Sequence, residues 1–383
     1  FGGGNPGPRS TMDKVTYSSD TTAAVPGASL SAARYYLAAS SARANALPQP
    51  PALTPTSQTS LVPVPAPNTG YFGGGNPGSR TTMDKVTYSS DTTAAVPGAN
   101  LSVGRYGLAA TGNSTAGYFG GGSGFPSQNS TMDKVTYSTD TRTAVPGAAL
   151  TAGSRYLAAT GNSTAGYFGG GYGPALGTRS SMDKVTYSSD TTAAVPGAPL
   201  SAARYQLAAT GNSSAGYFGG GNPPSPGLSG VDRSTMDKVT YASDTTAAVP
   251  GAFLSSNRTA TGATGNSTAG YFGGGTSYGL PLFSRMDKVT YSSDTTAAVP
   301  GASLSVARYQ LAATGNSTAG YFGGGSGGPS PGRSTMDKVT YSSDTTAAVP
   351  GADLSVARRH LAASSARANA LPATVASPTP NIV

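Results

Sequence analysis

The hexapeptide MDKVTY occurs seven times in this chain of 383 residues, and this repetition constrains the fold more than any other feature. Its copies begin at Met12, Met83, Met132, Met182, Met236, Met286 and Met336. The string FGGG also occurs seven times, at Phe1, Phe72, Phe119, Phe168, Phe218, Phe272 and Phe322. A sequence period of about 50 residues is typical of propellers and other repeat architectures.

Each repeat contains four short segments with strand character, separated by turn residues. In one repeat they are RYQLAAT at residues 204–210, AGYF before the triple glycine, DKVTY, and TAAV before Pro-Gly. No stretch shows the 3.6-residue apolar period of an amphipathic helix. The pattern therefore predicts an all-β fold, a β-propeller built from four-stranded blades.

Three features of the repeat carry a family resemblance. An arginine opens the first strand, an aromatic residue and a glycine doublet close the second, and V.Y..D marks the third. With these features the repeat resembles a Kelch-type blade, although AAVPGA stands where the Kelch fourth strand has Trp. The wording GYFGGG, DKVTYSSDT and LAATGNS is also similar to Kelch-like structural and tail-fibre proteins of cyanophages and other marine phages. This resemblance implies a structural protein of a virion surface or an extracellular filament.

Composition limits the chemistry of the chain. Only 37% of the residues are hydrophobic, which by itself is typical of disorder, but abundant Gly, Ala, Ser and Thr allow close packing of sheets. The absence of Cys excludes disulfides and thiol chemistry. No apolar run reaches the roughly 20 residues that a membrane helix needs. The net charge of +8 comes without a dense Lys/Arg run, so nucleic acid is not expected as a partner.

The dodecapeptide LAASSARANALP occurs at residues 37–48 and 361–372, where proline-rich chain or the tail replaces the usual GNSTAGYFGGG. Both copies are interpreted as closing strands. The favoured prediction is a seven-bladed ring, in which the strand after Leu361 pairs beside Phe1. The alternative is a six-bladed ring closed against Tyr71, with residues 1–48 belonging to a preceding or neighbouring propeller.

The corresponding domain boundaries follow from the same repeats. Residues 1–48 are predicted to form a first blade and a closing-type strand, and residues 49–70 a proline-rich linker or insertion. Residues 71–372 would supply six further blades with the C-terminal closing strand, followed by a proline-containing tail at 373–383.

An Asp and an Arg recur in every repeat, and we predict a structural role for them in hydrogen bonds or ion pairs between blades. Asp13 and its equivalents receive the same structural interpretation. The aspartates that end the third strand are Asp20, Asp91, Asp140, Asp190, Asp244, Asp294 and Asp344. The arginines assigned to the start of the first strand are Arg34, Arg105, Arg155, Arg204, Arg258, Arg308 and Arg358.

The loop after FGGG is the part of the repeat that varies most, and loops on a rigid scaffold are where binding commonly resides. Two interpretations of these loops are open: they line a binding face, or they are surface loops that merely tolerate variation. The residues predicted to line the binding face are Arg9, Arg80, Tyr172, Arg179, Arg233, Tyr278, Phe283, Arg285 and Arg333. GNST or GNSS is foremost a turn signal, but it also matches the N-glycosylation pattern at Asn113, Asn162, Asn212, Asn266 and Asn316.

Catalysis finds little support in the sequence. The only histidine is His360, Cys and Glu are absent, and no motif places a nucleophile beside a base. No catalytic residue, metal site or cofactor is predicted. The sequence favours a non-enzymatic structural propeller that self-associates or contacts neighbouring subunits in a filament, with surface or glycan attachment as its task. The alternatives are a free-standing lectin and a propeller enzyme acting on glycans, which would need an asymmetric polar cluster at the central channel.

Overall fold

The computed structural model describes residues 13–16, 21–24, 68–124, 127–174, 177–224, 234–277, 281–328 and 332–365. The chain divides into two units, Phe1–Val62 and Pro63–Val383. In the first unit the structure describes one antiparallel hairpin, β1 (Asp13–Thr16) and β2 (Thr21–Ala24). Its register pairs Asp13 with Ala24, which is also the register of the third and fourth strands of the blades in the second unit.

The second unit contains six four-stranded antiparallel sheets, which are the blades of the propeller. From its first to its fourth strand, blade 1 consists of β28 (Ala362–Ser365), β3 (Thr69–Gly73), β4 (Met83–Thr87) and β5 (Thr92–Ala95). Blade 2 consists of β6 (Ala109–Gly112), β7 (Ala116–Gly120), β8 (Met132–Thr136) and β9 (Thr141–Ala144). Blade 3 consists of β10 (Ala158–Gly161), β11 (Ala165–Gly169), β14 (Met182–Thr186) and β15 (Thr191–Ala194), and its loop adds a small ribbon, β12 (Tyr172–Gly173) with β13 (Gly177–Thr178).

The other three blades follow the same plan. Blade 4 consists of β16 (Ala208–Gly211), β17 (Ala215–Gly219), β18 (Met236–Thr240) and β19 (Thr245–Ala248). Blade 5 consists of β20 (Gly262–Gly265), β21 (Ala269–Gly273), β22 (Met286–Thr290) and β23 (Thr295–Ala298). Blade 6 consists of β24 (Ala312–Gly315), β25 (Ala319–Gly323), β26 (Met336–Thr340) and β27 (Thr345–Ala348). Short 3₁₀ turns follow the fourth strand at Pro97–Ala99, Pro146–Ala148, Pro250–Ala252, Pro300–Ala302 and Pro350–Ala352.

The first strands of the six blades lie side by side in a closed ring around the channel, in the order β28, β6, β10, β16, β20 and β24. Closure depends on β28, whose Ala362 pairs with Gly73 and whose Ser365 pairs with Gly70. The favoured prediction from the sequence places this strand beside Phe1 in a seven-bladed ring. The structure pairs it with the strand that contains Tyr71, so the ring in the second unit has six blades, as in the alternative prediction.

The hydrophobic core lies between neighbouring blades. Around blades 1 and 2 it combines Tyr71, Met83 and Leu101 with Phe119 and Tyr137. Five equivalent clusters fill the other interfaces. Because every blade buries both faces in this way, the second strand is buried along its whole length in blades 2 to 6. A modest hydrophobic fraction therefore suffices for a packed ring, since the large apolar side chains are concentrated at the interfaces between blades.

Glycine permits the close approach of the blades. A Cβ atom on Gly166 in the second strand of blade 3 would lie 2.5 Å from Cγ2 of Thr111 in blade 2. At the end of that strand, Gly170 and Gly171 have φ angles of +68° and +100°, a region that disfavours other residues. The triple glycine thus ends the second strand and directs the chain into the variable loop, which confirms the prediction from the sequence.

The first strands begin later than the sequence predicts. RYQLAAT has strand character over residues 204–210, but β16 starts at Ala208. The reason is Gln206, whose φ of +57° interrupts extended backbone. The same left-handed conformation occurs at this position in every blade, and it shapes the entrance of the channel.

Candidate functional site

Two kinds of connection emerge on one face of the ring, which we call the loop face. These are the variable loops between second and third strands and the segments that lead from one blade into the next. Single β-bridges join them, for example Tyr205 with Asn222 and Arg359 with Asn76. The variable loops are therefore tied to the residues that enter the channel.

At the channel entrance, each blade contributes one residue with positive φ, and we call these six residues the inner ring. Its members are Gly107, Tyr156, Gln206, Ala260, Gln310 and His360. Their backbones form a closed circle of hydrogen bonds, in which each amide donates to the carbonyl of the preceding blade's residue. The six N···O distances lie between 2.6 and 2.8 Å. This circle fixes the geometry of the entrance without using any side chain.

The residue before each inner-ring member forms a second circle, the outer ring. Its members are Tyr106, Arg155, Tyr205, Thr259, Tyr309 and Arg359. Together the two rings form the channel mouth. Below the inner ring, a cavity of about 70 Å³ is lined by leucines including Leu157, Leu207 and Leu361. The mouth is thus polar at the surface and apolar further in.

The side chains of the mouth are asymmetric although the backbone is repeated. On one side the rings of Tyr156 and His360 lie 4.9 Å apart, and both contact the Tyr106 ring at about 6 Å. They meet above Gly107, where a Cβ atom would lie 2.7 Å from the Tyr156 ring. On the opposite side Ala260 lies between Gln206 and Gln310. The mouth therefore has an aromatic half and an amide half.

Arg155 contributes positive charge to the aromatic half. Its guanidinium carbon lies 5.1 Å from the ring centroid of Tyr156 and 5.4 Å from that of Tyr172. Its Nη1 donates to the Tyr106 hydroxyl at 3.2 Å. Among the described residues, neither Arg155 nor Arg359 forms an ion pair with a carboxylate. Both guanidiniums are therefore without a carboxylate partner in the part of the chain that the structure describes.

Burial and positive charge control the ionisation of the mouth. Burial, followed by the nearby charges of Arg359 and Arg155, lowers the pKa of His360 to about 3. Burial is also the main cause that raises the pKa of Tyr156 to about 12. Both ring nitrogens of His360 lack a hydrogen-bond partner among the described protein atoms. At neutral pH this imidazole is thus uncharged and has one donor and one acceptor to offer.

The structure distributes the predicted loop residues around the loop face and does not gather them into one site. Arg80, Arg179 and Arg333 occupy equivalent positions, where the backbone carbonyl accepts from the arginine that precedes the next first strand at 3.0–3.1 Å. Phe283 occupies the same position in blade 5, and the guanidinium of Arg285 lies 4.7 Å from its ring. Among the members of this set that the structure describes, Tyr172 is the one that reaches the channel mouth, with its ring 5.9 Å from that of Tyr205. Arg9, Arg233 and Tyr278 lie outside the described residues.

The recurring Asp and Arg have separate partners in the structure. The Asp that ends the third strand contacts the neighbouring blade, but through Lys and Tyr: Asp294 accepts from Lys238 at 2.8 Å and from the Tyr217 hydroxyl. The same clamp of Tyr, Lys and Asp closes all six interfaces, including that between blades 6 and 1, where Asp91 binds Lys338. The other aspartates in these clamps are Asp140, Asp190, Asp244 and Asp344, while Asp20 lies outside the described residues.

The recurring arginine pairs with the Asp of the MDKVTY motif, for which the repeat pattern predicts only a general structural role. Arg308 lies 2.9 Å from Asp337, and both side chains are fully buried. The equivalent pairs join Arg105 to Asp133, Arg204 to Asp237, Arg258 to Asp287, and Arg358 to Asp84. Burial lowers the pKa of Arg358 to about 10, so the guanidinium stays protonated at neutral pH. Arg34 lies outside the described residues.

Arg155 is a correction to the predicted set of arginines. In blade 3 the position that pairs with the MDKVTY aspartate is held by Ser154, because the sequence reads AGSRYL at residues 152–157 where blade 4 reads AARYQL at residues 202–207. Arg155 is shifted by one residue and lies at the mouth. Asp183 consequently lacks an arginine partner among the ion pairs of the described residues and accepts instead from Thr151 at 2.7 Å.

The five predicted glycosylation asparagines serve the turns between first and second strands. The Oδ1 atom of Asn113 accepts from the Thr115 amide and hydroxyl and from the Ala116 amide, at 2.9 to 3.0 Å. Asn162, Asn212, Asn266 and Asn316 make the same contacts. These turns lie on the face opposite the variable loops, and glycan attachment to them stays a prediction.

Sequence reasoning missed the channel mouth. It found no asymmetric polar cluster there, whereas the structure assembles Tyr106, Arg155, Tyr156, Arg359 and His360 from three blades. A signal existed: the two residues after the recurring arginine position are YG, RY, YQ, TA, YQ and RH in successive blades. This variation is inconspicuous because the variable loops are longer and differ more visibly.

No protein family matches the chain, and no similar protein was found among curated proteins. The resemblance to Kelch-type and phage proteins therefore stays a prediction from the residues. Within the ranges that the structure describes, no group of three His, Cys, Asp or Glu side chains could hold a metal ion. In those ranges, too, none of the helices has the length and apolar character required to cross a membrane.

Proposed function

We propose that this β-propeller is a non-enzymatic structural protein of a phage fibre or another extracellular filament, which attaches to surfaces or glycans. The observation that carries the proposal is the contrast between the uniform blade interfaces and the variable loop face. All six interfaces use the same Tyr, Lys and Asp clamp, as expected of a protein whose blades serve mainly as a structural scaffold. Differences between blades are concentrated on the loop face, where they can serve recognition.

The hairpin of the first unit supports a role in assembly. Its strands β1 and β2 have the sequence and register of a third and fourth blade strand. A further partial blade on the same chain is what a protein would carry if propellers followed one another in a filament. The proposed location is accordingly extracellular or on the virion surface, with copies of itself or neighbouring subunits as partners.

Electron microscopy of the native material tests the filament. We expect six-bladed rings arranged in linear arrays, with a regular spacing between ring centres. Isolated single rings at every protein concentration would contradict the filament role. The same images would count the blades in each ring.

A free-standing lectin is the second candidate function, and the asymmetric channel mouth is the observation that favours it. Aromatic rings beside hydrogen-bonding groups in a cavity are typical of small-molecule sites. Specific binding of a glycan by isolated rings, with no filament formed, would favour the lectin over the structural role.

A further inference from the structure

The channel mouth contains unused hydrogen-bonding capacity. Gln310 Oε1, Arg155 Nε, Arg359 Nε and both nitrogens of His360 are buried and lack a hydrogen-bond partner among the described protein atoms. Buried polar atoms are normally satisfied, because an unmade hydrogen bond is costly. Five such atoms at one entrance are available to a polar ligand.

The positive charge of the mouth indicates that the ligand carries a negative charge. Arg155 and Arg359 flank Tyr106 in the outer ring, and the Arg155 guanidinium lies 5.1 Å from the centroid of the Tyr156 ring. Both charges act on Tyr156 and His360. Blades 2, 4 and 6 have tyrosine at the equivalent outer-ring position and blade 5 has threonine, so the cations are confined to blades 1 and 3. Guanidiniums form bidentate, charge-assisted hydrogen bonds with carboxylates. An anion on the aromatic half would neutralise both.

The shape of the mouth defines the body of the ligand. The Tyr156, His360 and Tyr106 rings, whose planes are tilted by 44–53° to one another, provide an aromatic wall on one side. On the other side Gln310 offers a free carbonyl oxygen, and Gln206 accepts from Asn222 at 2.8 Å. A molecule with one apolar face, several hydroxyls and a carboxylate fits this division, and a hexuronate sugar has all three.

We propose that the channel mouth binds the uronate residues of an acidic glycan, with Arg155 and Arg359 holding the carboxylate and the aromatic half supporting the pyranose ring. This inference rests on the proposed role in glycan attachment and specifies its ligand. The amide half would contact the sugar hydroxyls. Further sugar residues of the glycan would extend over the loop face, along the outer ring.

The chain supplies fold-compatible variants for a test. Arg155→Tyr and Arg359→Tyr introduce the residue that blades 2, 4 and 6 carry at the same position. The matched control is Arg142→Thr, which removes an arginine from the outer strand of blade 2 and restores the residue of the equivalent strands. Arg142 lies away from the mouth, and its Nε atom donates to the Asn100 carbonyl at 3.2 Å.

The experiment is calorimetric titration of the full chain with trigalacturonate, with neutral galactotriose as the uncharged probe. We expect binding of trigalacturonate only, an affinity loss of about tenfold or more in each mouth variant, and a change within about twofold in the control. Absence of binding to the folded wild-type chain would overturn the proposal, as would an equal loss in the control. Preference for a sulfated trisaccharide over the uronate would overturn the carboxylate assignment.

These outcomes separate the inference from the function on which it rests. Filaments that do not bind trigalacturonate would overturn the ligand and leave the structural role intact. Isolated rings that bind it would overturn the filament and retain the site.

Discussion

Five of the six blades contain a buried arginine beside the MDKVTY aspartate, and blade 3 has Ser154 at that position. The chain therefore carries its own comparison between a paired and an unpaired carboxylate. In blade 6, Asp337 is fully buried and accepts from Arg308 at 2.9 Å. In blade 3, burial raises the pKa of Asp183, and hydrogen bonds from Thr151 offset this only in part.

The same substitution should consequently have different effects in the two blades. Asp337→Asn leaves the Arg308 charge buried without a counter-ion, and we expect a loss of about 3–5 kcal/mol in the free energy of unfolding. Asp183→Asn removes a carboxylate that burial already disfavours, so we expect a change within about 1 kcal/mol at pH 7. Urea denaturation of both variants checks this, and equal losses would show that the buried pair is not the cause.

His360 gives the molecule a pH dependence of defined sign. Its pKa is near 6.5 in an unfolded chain and about 3 in the folded protein, so the unfolded state binds more protons between these values. The contribution of His360 to the free energy of unfolding is complete above pH 6.5 and is lost as the pH falls towards 3. Asp183 has a raised pKa in the folded protein, so its contribution to stability increases as the pH falls. The effect of His360 is therefore isolated by comparing the wild type with a variant that lacks only this histidine.

His360→Gln provides that variant, because glutamine occupies the same inner-ring position in blades 4 and 6. Between pH 6.5 and 4 we expect the wild type to lose about 1–3 kcal/mol more stability than the variant, after allowance for partial exposure. Thermal melts across this range measure the difference. Parallel curves for the two proteins would contradict a buried neutral imidazole.

At the scale of the secondary-structure element, strand β28 has a special role because it joins the end of the ring to its beginning. Besides its backbone pairing with β3, Ser364 shares a hydrogen bond with the Tyr137 hydroxyl at 2.8 Å, and Ser365 donates to the Gly315 carbonyl at 2.6 Å. The strand thus contacts blades 2 and 6 as well as its own. Its loss would expose the buried edge of β3.

A chain ending at residue 361 should therefore lose the closed ring, whereas a chain ending at residue 365 keeps every contact of the strand. For the shorter chain we expect a melting temperature lower by several degrees and association through the exposed edge. Calorimetry and analytical ultracentrifugation measure the two effects. Monomeric behaviour of both chains with equal melting temperatures would show that β28 does not close the ring.

Elements are easier to predict from the sequence than their partners. The four strands per blade and the glycine exits follow from local turn chemistry, which is legible in one repeat. The partner of each charged residue is not legible in this way. The Asp that ends the third strand, the Asp and Lys of MDKVTY, and the Arg before the first strand all recur with the same period, so the sequence does not show which of them pair. Asp294 and Asp287 are equally plausible partners for Arg258 on sequence grounds, and only the geometry assigns the buried Asp287 to it.

At the scale of the whole molecule, the number of blades depends on where one strand pairs. Leu361 precedes the same sequence as Leu37, so the residues alone leave β28 with two candidate partners. The structure selects the strand at Thr69–Gly73 and closes a six-bladed ring. The mouth was missed because its variable pairs of residues lie about 50 residues apart in the chain and meet only when the ring is closed.

The circle of backbone hydrogen bonds in the inner ring has a consequence for how such a molecule can diversify. Its six amide-to-carbonyl bonds follow one another around the axis, so the in-plane components of the peptide dipoles cancel by symmetry. The difference between one side of the entrance and the other is then set by the side chains of the two rings. Exchanging the side chains at those positions would change the chemistry of the entrance while the hydrogen-bonded circle persists, so the mouth can vary without any change to the scaffold beneath it.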